Sequence, residues 1–257
     1  MTRILLSGCN GRMGNVISEI CKKNPETVIV AGIDLNTERR HNYPVYDNYD
    51  AVRDEADVAV DFSNTSLTES MLEFCHKRNL PVVICTTGHT EEQKAKILEY
   101  SEKIPVFKSG NMSLGINVLI MLVERAARVL GETFDTEIIE RHHNQKIDAP
   151  SGTALMIAER LAEALPYQAE LVYDRHEVRE KRAYNEIGIH TVRGGTIVGE
   201  HEVIFAGRDE VIEIKHTASS REVFAAGAVK AAVFMAGVKK PGMYDMNDLV
   251  NKYSAGY

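Results

Sequence analysis

A short apolar strand running straight into a glycine-rich turn and a helix is the feature that most narrows what this chain can become. Arg3 to Ser7 (RILLS) is apolar enough for a buried strand. Gly8-Cys9-Asn10-Gly11-Arg12-Met13-Gly14 follows at once, and a helical pattern continues from about Arg12 to Asn24. The next segment, Thr27 to Asp34 (TVIVAGID), is rich in β-branched residues and ends on an acid. Strand, tight loop, helix and strand in that order form a βαβ unit, which commits the chain to a parallel sheet with crossover helices. The first glycine permits the turn, the middle one lets backbone approach a pyrophosphate, and the last lets helix and strand pack closely. The helix N-terminus adds free N–H groups and a partial positive charge. The spacing is GxxGxxG, with Asn10 in the usual second-glycine place. A βα turn that simply needs glycine would satisfy the same pattern. Asp34, about 20 residues beyond the loop, is placed to accept hydrogen bonds from a ribose diol.

The alternation continues. Val58 to Phe62, Pro81 to Cys85 and Pro105 to Lys108 read as strands, with helices over Thr65 to Asn79 and Glu91 to Ser101. These strands are apolar throughout, as a sheet covered on both faces requires. The pattern then changes. Ile116 to Leu130 is a long apolar helix, Thr136 to Arg141 a strand and Ser151 to Leu165 a helix. From Ile189 to Ala218 apolar and polar residues alternate between glycine turns, and Arg221 to Gly237 is a last helix. The expectation is an α/β protein. A Rossmann-type parallel-sheet domain over 1–113, joined by 221–257 if the last helix and tail return to it, precedes an α+β domain over 114–220 with a mostly antiparallel sheet. Glu177 to Arg182 is a mixed charge run, read as a solvated face or loop.

Ligands of open α/β sheets bind at the carboxyl ends of the strands. Cys85-Thr86-Thr87-Gly88 and Ser109-Gly110-Asn111-Met112-Ser113 lie at two such ends, and their small polar side chains suit a nicotinamide and its ribose. Ordinary polar loops would look the same. Leu35 and Asn36 follow Asp34, with no basic residue before Arg39 and Arg40. A 2′-phosphate wants a cation close to the acid, so the residues point to NADH, or to dual use of NADH and NADPH. The net charge of −7 argues against nucleic acid as a partner. No run is long enough to span a membrane. The apolar opening is too short for a secretory leader, and Cys9, Cys21, Cys75 and Cys85 form no CxxC pair. Reduced thiols in a cytoplasmic protein are the expectation.

The segment Glu140-Arg141-His142-His143-Asn144-Gln145-Lys146-Ile147-Asp148-Ala149-Pro150-Ser151-Gly152-Thr153-Ala154 concentrates the remaining chemistry. Ser151 is placed as a helix N-cap. The amides of Gly152 and Thr153 would then face outward at the positive end of a helix, a site for a carboxylate. Lys146 and a nearby histidine would add charge and a proton source. The histidines could instead be surface side chains or metal ligands, although neighbours on a strand point to opposite faces and no HxH or HExxH spacing occurs. Lys146 could be a solvated loop residue.

The same segment, EIIERHHNQKIDAPSGTA from Glu137 to Ala154, resembles the signature of the 4-hydroxy-tetrahydrodipicolinate reductase family, formerly called dihydrodipicolinate reductase. The resemblance runs over essentially the whole chain. It takes in GCNGRMG at Gly8 to Gly14, VDFS at Val60 to Ser63, TTG at Thr86 to Gly88 and NMSLGINV at Asn111 to Val118. GGTIVGEHEV at Gly194 to Val203 and HTASSREVFAAGA at His216 to Ala228 complete it. It implies an NADH- or NADPH-dependent reductase of a small dicarboxylate on the route to diaminopimelate and lysine, commonly a homotetramer. His142 would be the proton donor and acceptor and Lys146 the general acid. His143, Gly152 and Thr153 would hold the substrate carboxylates, with Arg221 a further substrate-side cation. Gly8, Cys9, Asn10, Gly11, Arg12, Met13, Asp34, Cys85, Thr86, Thr87, Ser109, Gly110, Asn111 and Met112 would line the cofactor. No metal is implied. The sequence departs from the family pattern at Asn10 and Cys85, where glycine is often found, and at Leu35, where a basic residue can follow the ribose acid.

Overall fold

The computed structural model describes residues 1–254, and two compact units emerge, one comprising Met1–Ser113 with the chain from Glu222 on, the other Leu114–Arg221. The first half runs β1 (Thr2–Ser7), α1 (Arg12–Lys23), β2 (Thr27–Ile33), β3 (Val45–Tyr46), β4 (Val58–Asp61), α2 (Thr68–Lys77), β5 (Val82–Ile84), α3 (Glu91–Ser101) and β6 (Pro105–Lys108). Every pairing among these strands is parallel. Leu5, Ala31, Ile33, Val82, Ile84 and Val106 turn one face of the sheet toward Met71, Leu72 and Cys75 of α2 and Ile97 of α3. The two-residue β3 was not legible from periodicity, because a strand that short shows no alternation.

The second unit holds α4 (Leu114–Leu130), β7 (Asp135–His142), α5 (Gly152–Ala164), β8 (Glu170–Val172), β9 (Glu186–Arg193), β10 (Gly199–Ala206) and β11 (Val211–Ala218). Its sheet runs β11-β10-β7-β9-β8. β10 pairs antiparallel with β11 and β7, while β9 pairs parallel with β7 and β8. The sheet is therefore mixed, not mostly antiparallel, and β7 separates β9 from β10. Alternation along a strand specifies its buried face, not its neighbour. A helix between β7 and β9 supplies the crossover that parallel pairing needs. α4 and α5 share a core with the sheet, in which Ile120, Val123, Ile157 and Leu161 meet Ile138, Ile187, Val203 and Phe205. The charge run at 177–182 is an exposed loop, as its composition suggests, with Arg182 half-buried at its end. The Arg182 guanidinium pairs with Asp135 and Glu137 and donates to the Thr136 carbonyl.

The remaining chain forms α6 (Glu222–Ala236), β12 (Gly242–Tyr244) and α7 (Met246–Ser254). β12 adds an edge to the first sheet, whose full order is β12-β6-β5-β4-β1-β2-β3. α6 packs on β1, β4, β5 and α1. Its buried residues are Ala225, Gly227, Ala228, Val229, Ala231, Ala232 and Met235, five of the seven small enough for close approach to the strands. Gly227 is the tightest point: a Cβ there would lie 1.7 Å from the Met112 carbonyl oxygen. Replacing a mid-helix glycine with alanine ordinarily stabilises by about 1 kcal/mol. Here the clash is with backbone that cannot rotate away. Gly227→Ala is therefore expected to destabilise the first unit by about 1–3 kcal/mol, read as a lowered urea midpoint.

Candidate active site

The first sheet reverses direction between β1 and β4, since β2 and β3 extend one way from β1 and β4, β5 and β6 the other. Loops leaving the two central strands diverge there and open the crevice that such sheets use for ligands. A cleft of about 480 Å³ lies there, lined by Arg12 and Met13 after β1, Phe62 to Thr65 after β4, and Cys85 to Gly88 after β5. Gly8 takes φ +76°, and a Cβ on it would lie 2.5 Å from the Phe62 carbonyl oxygen. A Cβ on Gly14 would lie 2.2 Å from the Gly8 carbonyl oxygen. Both glycines are thus demanded by the turn itself. Gly11 is the N-cap of α1, with no side chain closing the helix end and no acid in its first turn. The first amides of α1 keep their capacity for an anion.

Asp34 joins this loop to the end of β2. Its carboxylate accepts from the Asn10 amide at 2.9 Å and from the Asn36 amide at 3.1 Å. The Asn10 side chain donates to the carbonyls of Asn36 and Glu38, which closes the β2 exit around the turn. Cys9 can contribute only backbone, because its side chain is fully buried and its sulfur lies over Gly32. Thr86 is buried, and its hydroxyl is an orphan on the cleft wall. Burial pushes the Cys85 thiol well up, with the Asp61 charge adding to the effect, so Cys85 is a neutral wall. Ser109, Gly110, Asn111 and Met112 do not line this cleft. Asn111 and Met112 are buried, and Asn111 Oδ1 accepts the Ser113 amide. Sequence reasoning left Ser63, Asn64 and Thr65 out of the site. Their signal was position, directly after a central strand.

A second wall of the cleft is braced from below. The Lys108 ammonium, at the end of β6, reaches the Thr86 carbonyl at 3.4 Å and His89 Nδ1 at 3.3 Å. His89 Nε2 then donates to Thr68 Oγ1 at 3.0 Å. Burial pushes both the Lys108 ammonium and the His89 imidazole below their ordinary values.

In the second unit the residues of interest gather at the end of β7 and the start of α5. Along β7 the buried positions are Thr136, Ile138, Glu140 and His142. The period of two therefore carries a carboxylate and an imidazole inward where the strand leaves the apolar core. Glu140 is completely buried. It accepts from His142 Nδ1 at 2.5 Å, the Ser151 amide at 3.0 Å, Thr191 Oγ1 at 3.2 Å, and Arg193 Nη1 and Nη2 at 2.8 and 2.7 Å. Burial by itself would raise this carboxyl, yet the hydrogen bonds from Arg193 and His142 outweigh it and hold Glu140 below the usual carboxylate range. Burial lowers His142, and the attraction of Glu140 only partly offsets it.

Ser151 caps α5 as its sequence position implies, its hydroxyl accepting the Ala154 amide at 3.1 Å. The same hydroxyl meets His201 Nε2 at 3.1 Å. His201 is pushed down to about 4 by burial and by His142, whose ring stands edge-on at 5.2 Å. Gly152 is exposed, with open space where a side chain would be. Lys146 is not a free solvated lysine: its ammonium holds Asp148 Oδ1 at 2.8 Å, which lowers that carboxyl. His143 and Arg221 come together, His143 Nε2 lying 3.5 Å from Arg221 Nη2. Glu140 and His201 lie inside segments the sequence reading singled out, but neither they nor Arg193 was given a role there. The inward phase of Glu140 on β7 was its available signal. Among the described residues, no three His, Cys, Asp or Glu side chains could together hold a metal ion, and no helix is long and apolar enough to cross a membrane.

A doubly wound sheet with an open glycine turn at its switch point, carried with a second unit that presents imidazole, ammonium and an exposed helix N-terminus, defines a dinucleotide-dependent oxidoreductase. Residues 2–112 match the N-terminal model of dihydrodipicolinate reductase, and residues 115–250 the C-terminal one. The chain belongs to the dihydrodipicolinate reductase family. It is 56% identical to the 4-hydroxy-tetrahydrodipicolinate reductase of Caldanaerobacter subterraneus, over 98% of this chain and 99% of that protein. With the same enzyme of Clostridium tetani it shares 49%, over 98% of each. Among solved structures, the dipicolinate-bound dihydrodipicolinate reductase of Paenisporosarcina sp. TG-14 is similar at a TM-score of 0.80 and 26% identity, covering 96% of this chain and 99% of that one.

Gly199 supplies a check on this geometry. A Cβ there would lie 3.1 Å from His142 Nε2. The ring cannot retreat, because Nδ1 is held by Glu140. If His142 is the reacting group, Gly199→Ala is expected to lower kcat roughly 10-fold, since small misplacements of such a group are costly. The unfolding midpoint should fall as well, because the clash is not relieved, and steady-state kinetics with thermal melts will read both effects.

Proposed function

We propose that the chain reduces 4-hydroxy-tetrahydrodipicolinate to tetrahydrodipicolinate with NADH or NADPH, in diaminopimelate and lysine biosynthesis. One observation carries the reading: a single buried carboxylate holds the His142 imidazole and the amide of Ser151, the N-cap of α5, side by side. A proton-handling ring is thereby set next to a helix end suited to a substrate carboxylate. Gly152 and Thr153 would receive that carboxylate, and His143 with Arg221 the other. The 1–113 segment and the chain from Glu222 on would form the dinucleotide-binding domain. The open turn, the uncapped start of α1 and the orphan Thr86 hydroxyl fit a dinucleotide whose phosphates meet Gly11 to Met13. The nicotinamide supplies a hydride when bound.

The protein supplies the proton and the exclusion of wrong geometries. Burial keeps His142 neutral at neutral pH, and its Nδ1 hydrogen is engaged by Glu140, so Nε2 presents a lone pair. Lys146 is then the cation that delivers a proton to the substrate, and His142 accepts a hydrogen bond or proton at Nε2. The ring gains hydride at an unsaturated carbon and a proton at the neighbouring atom, and the hydroxyl leaves as water overall. A positioned proton donor is worth about 10²–10⁴ in rate. The family resemblance extends the proposal to a cytoplasmic homotetramer built through the second domain.

In an assay following cofactor absorbance with the condensation product of pyruvate and aspartate semialdehyde, Lys146→Ala and His142→Ala should each lose most turnover. Their dinucleotide affinity should change little. Near-normal turnover in both would refute the assignment. On the cofactor side, Leu35 is 85% exposed directly after Asp34, and Arg40 is paired with Glu38. Among the described residues no cation pairs with Asp34, which supports NADH, or dual use. Asp34→Ala should weaken NADH more than NADPH in fluorescence titrations, and an equal loss for both would contradict a ribose role.

A further inference from the structure

We propose that Glu140, braced by Arg193, is a positioning residue that fixes which nitrogen of His142 is free. It also holds the start of α5 and the Lys146 loop to the same point. The inference rests on the roles given above to His142 and Lys146, and adds a group that touches neither substrate nor cofactor. Oε2 accepts from His142 Nδ1 and Arg193 Nη1, and Oε1 accepts from the Ser151 amide, Thr191 Oγ1 and Arg193 Nη2. Every partner that meets the two oxygens can donate, so only a carboxylate satisfies all of them. An amide in its place would turn an NH2 against at least one donor. With Glu140 ionised, His142 must carry its hydrogen on Nδ1, and Nε2 is the atom left for chemistry.

Arg193 extends the arrangement. Its Nη2 also donates to the Asp148 carbonyl at 2.6 Å, tying down the loop that carries Lys146. Thr191 and Arg193 come from β9, Glu140 and His142 from β7, and Ser151 from the start of α5. One carboxylate thus joins three segments that are apart in sequence. The charged and titratable groups around His142 are Glu140 on its own strand, Arg193 on β9, His201 on β10 and Lys146 in the loop. His216 on β11 stands across from His201. Of these, Glu140 alone is an anion hydrogen-bonded to the ring. A merely structural ion pair would need Arg193 but would make no use of the His142 contact.

The test combines imidazole ¹⁵N NMR of the free protein with steady-state kinetics. The His142 signals are assigned by their loss in His142→Gln. In the unsubstituted protein at neutral pH, His142 is expected as the Nδ1–H tautomer. Glu140→Gln should populate the Nε2–H form and lower kcat by about 10²-fold, leaving the dissociation constant for NADH unchanged. Loss of the carboxylate removes what favours the imidazolium, so the acid limb of kcat, where His142 becomes protonated, should move to lower pH. Arg193→Lys keeps the charge but not the fork. It should lower kcat less and raise KM for the dicarboxylate, as the Asp148 carbonyl loses its donor.

The proposal is overturned if the unsubstituted protein holds its hydrogen on Nε2, or if Glu140→Gln keeps tautomer, acid limb and kcat and loses only thermal stability. Should Glu140→Gln fail to fold, the tautomer of the unsubstituted protein and the KM effect of Arg193→Lys decide. The tautomer is read without substrate, so a wrong assignment of the reaction would leave this result standing and the two failures distinguishable.

Discussion

A carboxylate with no exposure to water sits at the end of β7, and the second unit is arranged so that it can be there. Removing a charge from water costs several kcal/mol, and the cost is met only when hydrogen-bond donors surround the ion closely. Glu140 has five such bonds, two from one guanidinium. The donors arrive from β7, β9 and the N-cap residue of α5, so satisfying one charge fixes three backbone segments relative to each other. The same strand shows where packing gives way to chemistry. Its inward residues pass from Thr136 and Ile138 to Glu140 and His142, from the apolar core to the polar cluster, with no change in period.

The first unit solves a different problem with backbone alone. Its candidate nucleotide site contains few charged side chains. The constraint is steric: at Gly8 and Gly14 any side chain would strike a carbonyl of the turn or of the neighbouring strand loop. What results is a helix start without a cap, directed into the crevice at which the parallel sheet reverses. α6 reaches the sheet on a small-residue face for a related reason. At Gly227 its backbone presses on the carbonyl of Met112, so close approach again depends on a missing Cβ. In both places glycine is chosen for distance.

Histidines in the second unit show how burial sorts identical side chains. His142 and His201 stand edge to face, yet only His142 has an anion on its ring. His201 lies deeper, is pushed to about 4, and serves the Ser151 hydroxyl that caps α5. His143, the first residue past the end of β7, meets Arg221.

Much of this was readable before any coordinates. The βαβ order, the glycine turn and its acid, the Ser151 cap and the His142-to-Thr153 cluster are local features. Each is set by spacing within a few residues or by the period of a strand or helix. The pairing of β9 with β7, the burial of the Cys9 thiol, the ion pairs of Arg182 and the ring of donors around Glu140 were not readable. Each depends on residues tens of positions apart meeting in space, as Arg193 and Glu140 do across a separation of 53. A charged letter in a strand says nothing of its partner. Only folding brings the counter-charge within reach, and without that partner the carboxylate could not stay buried.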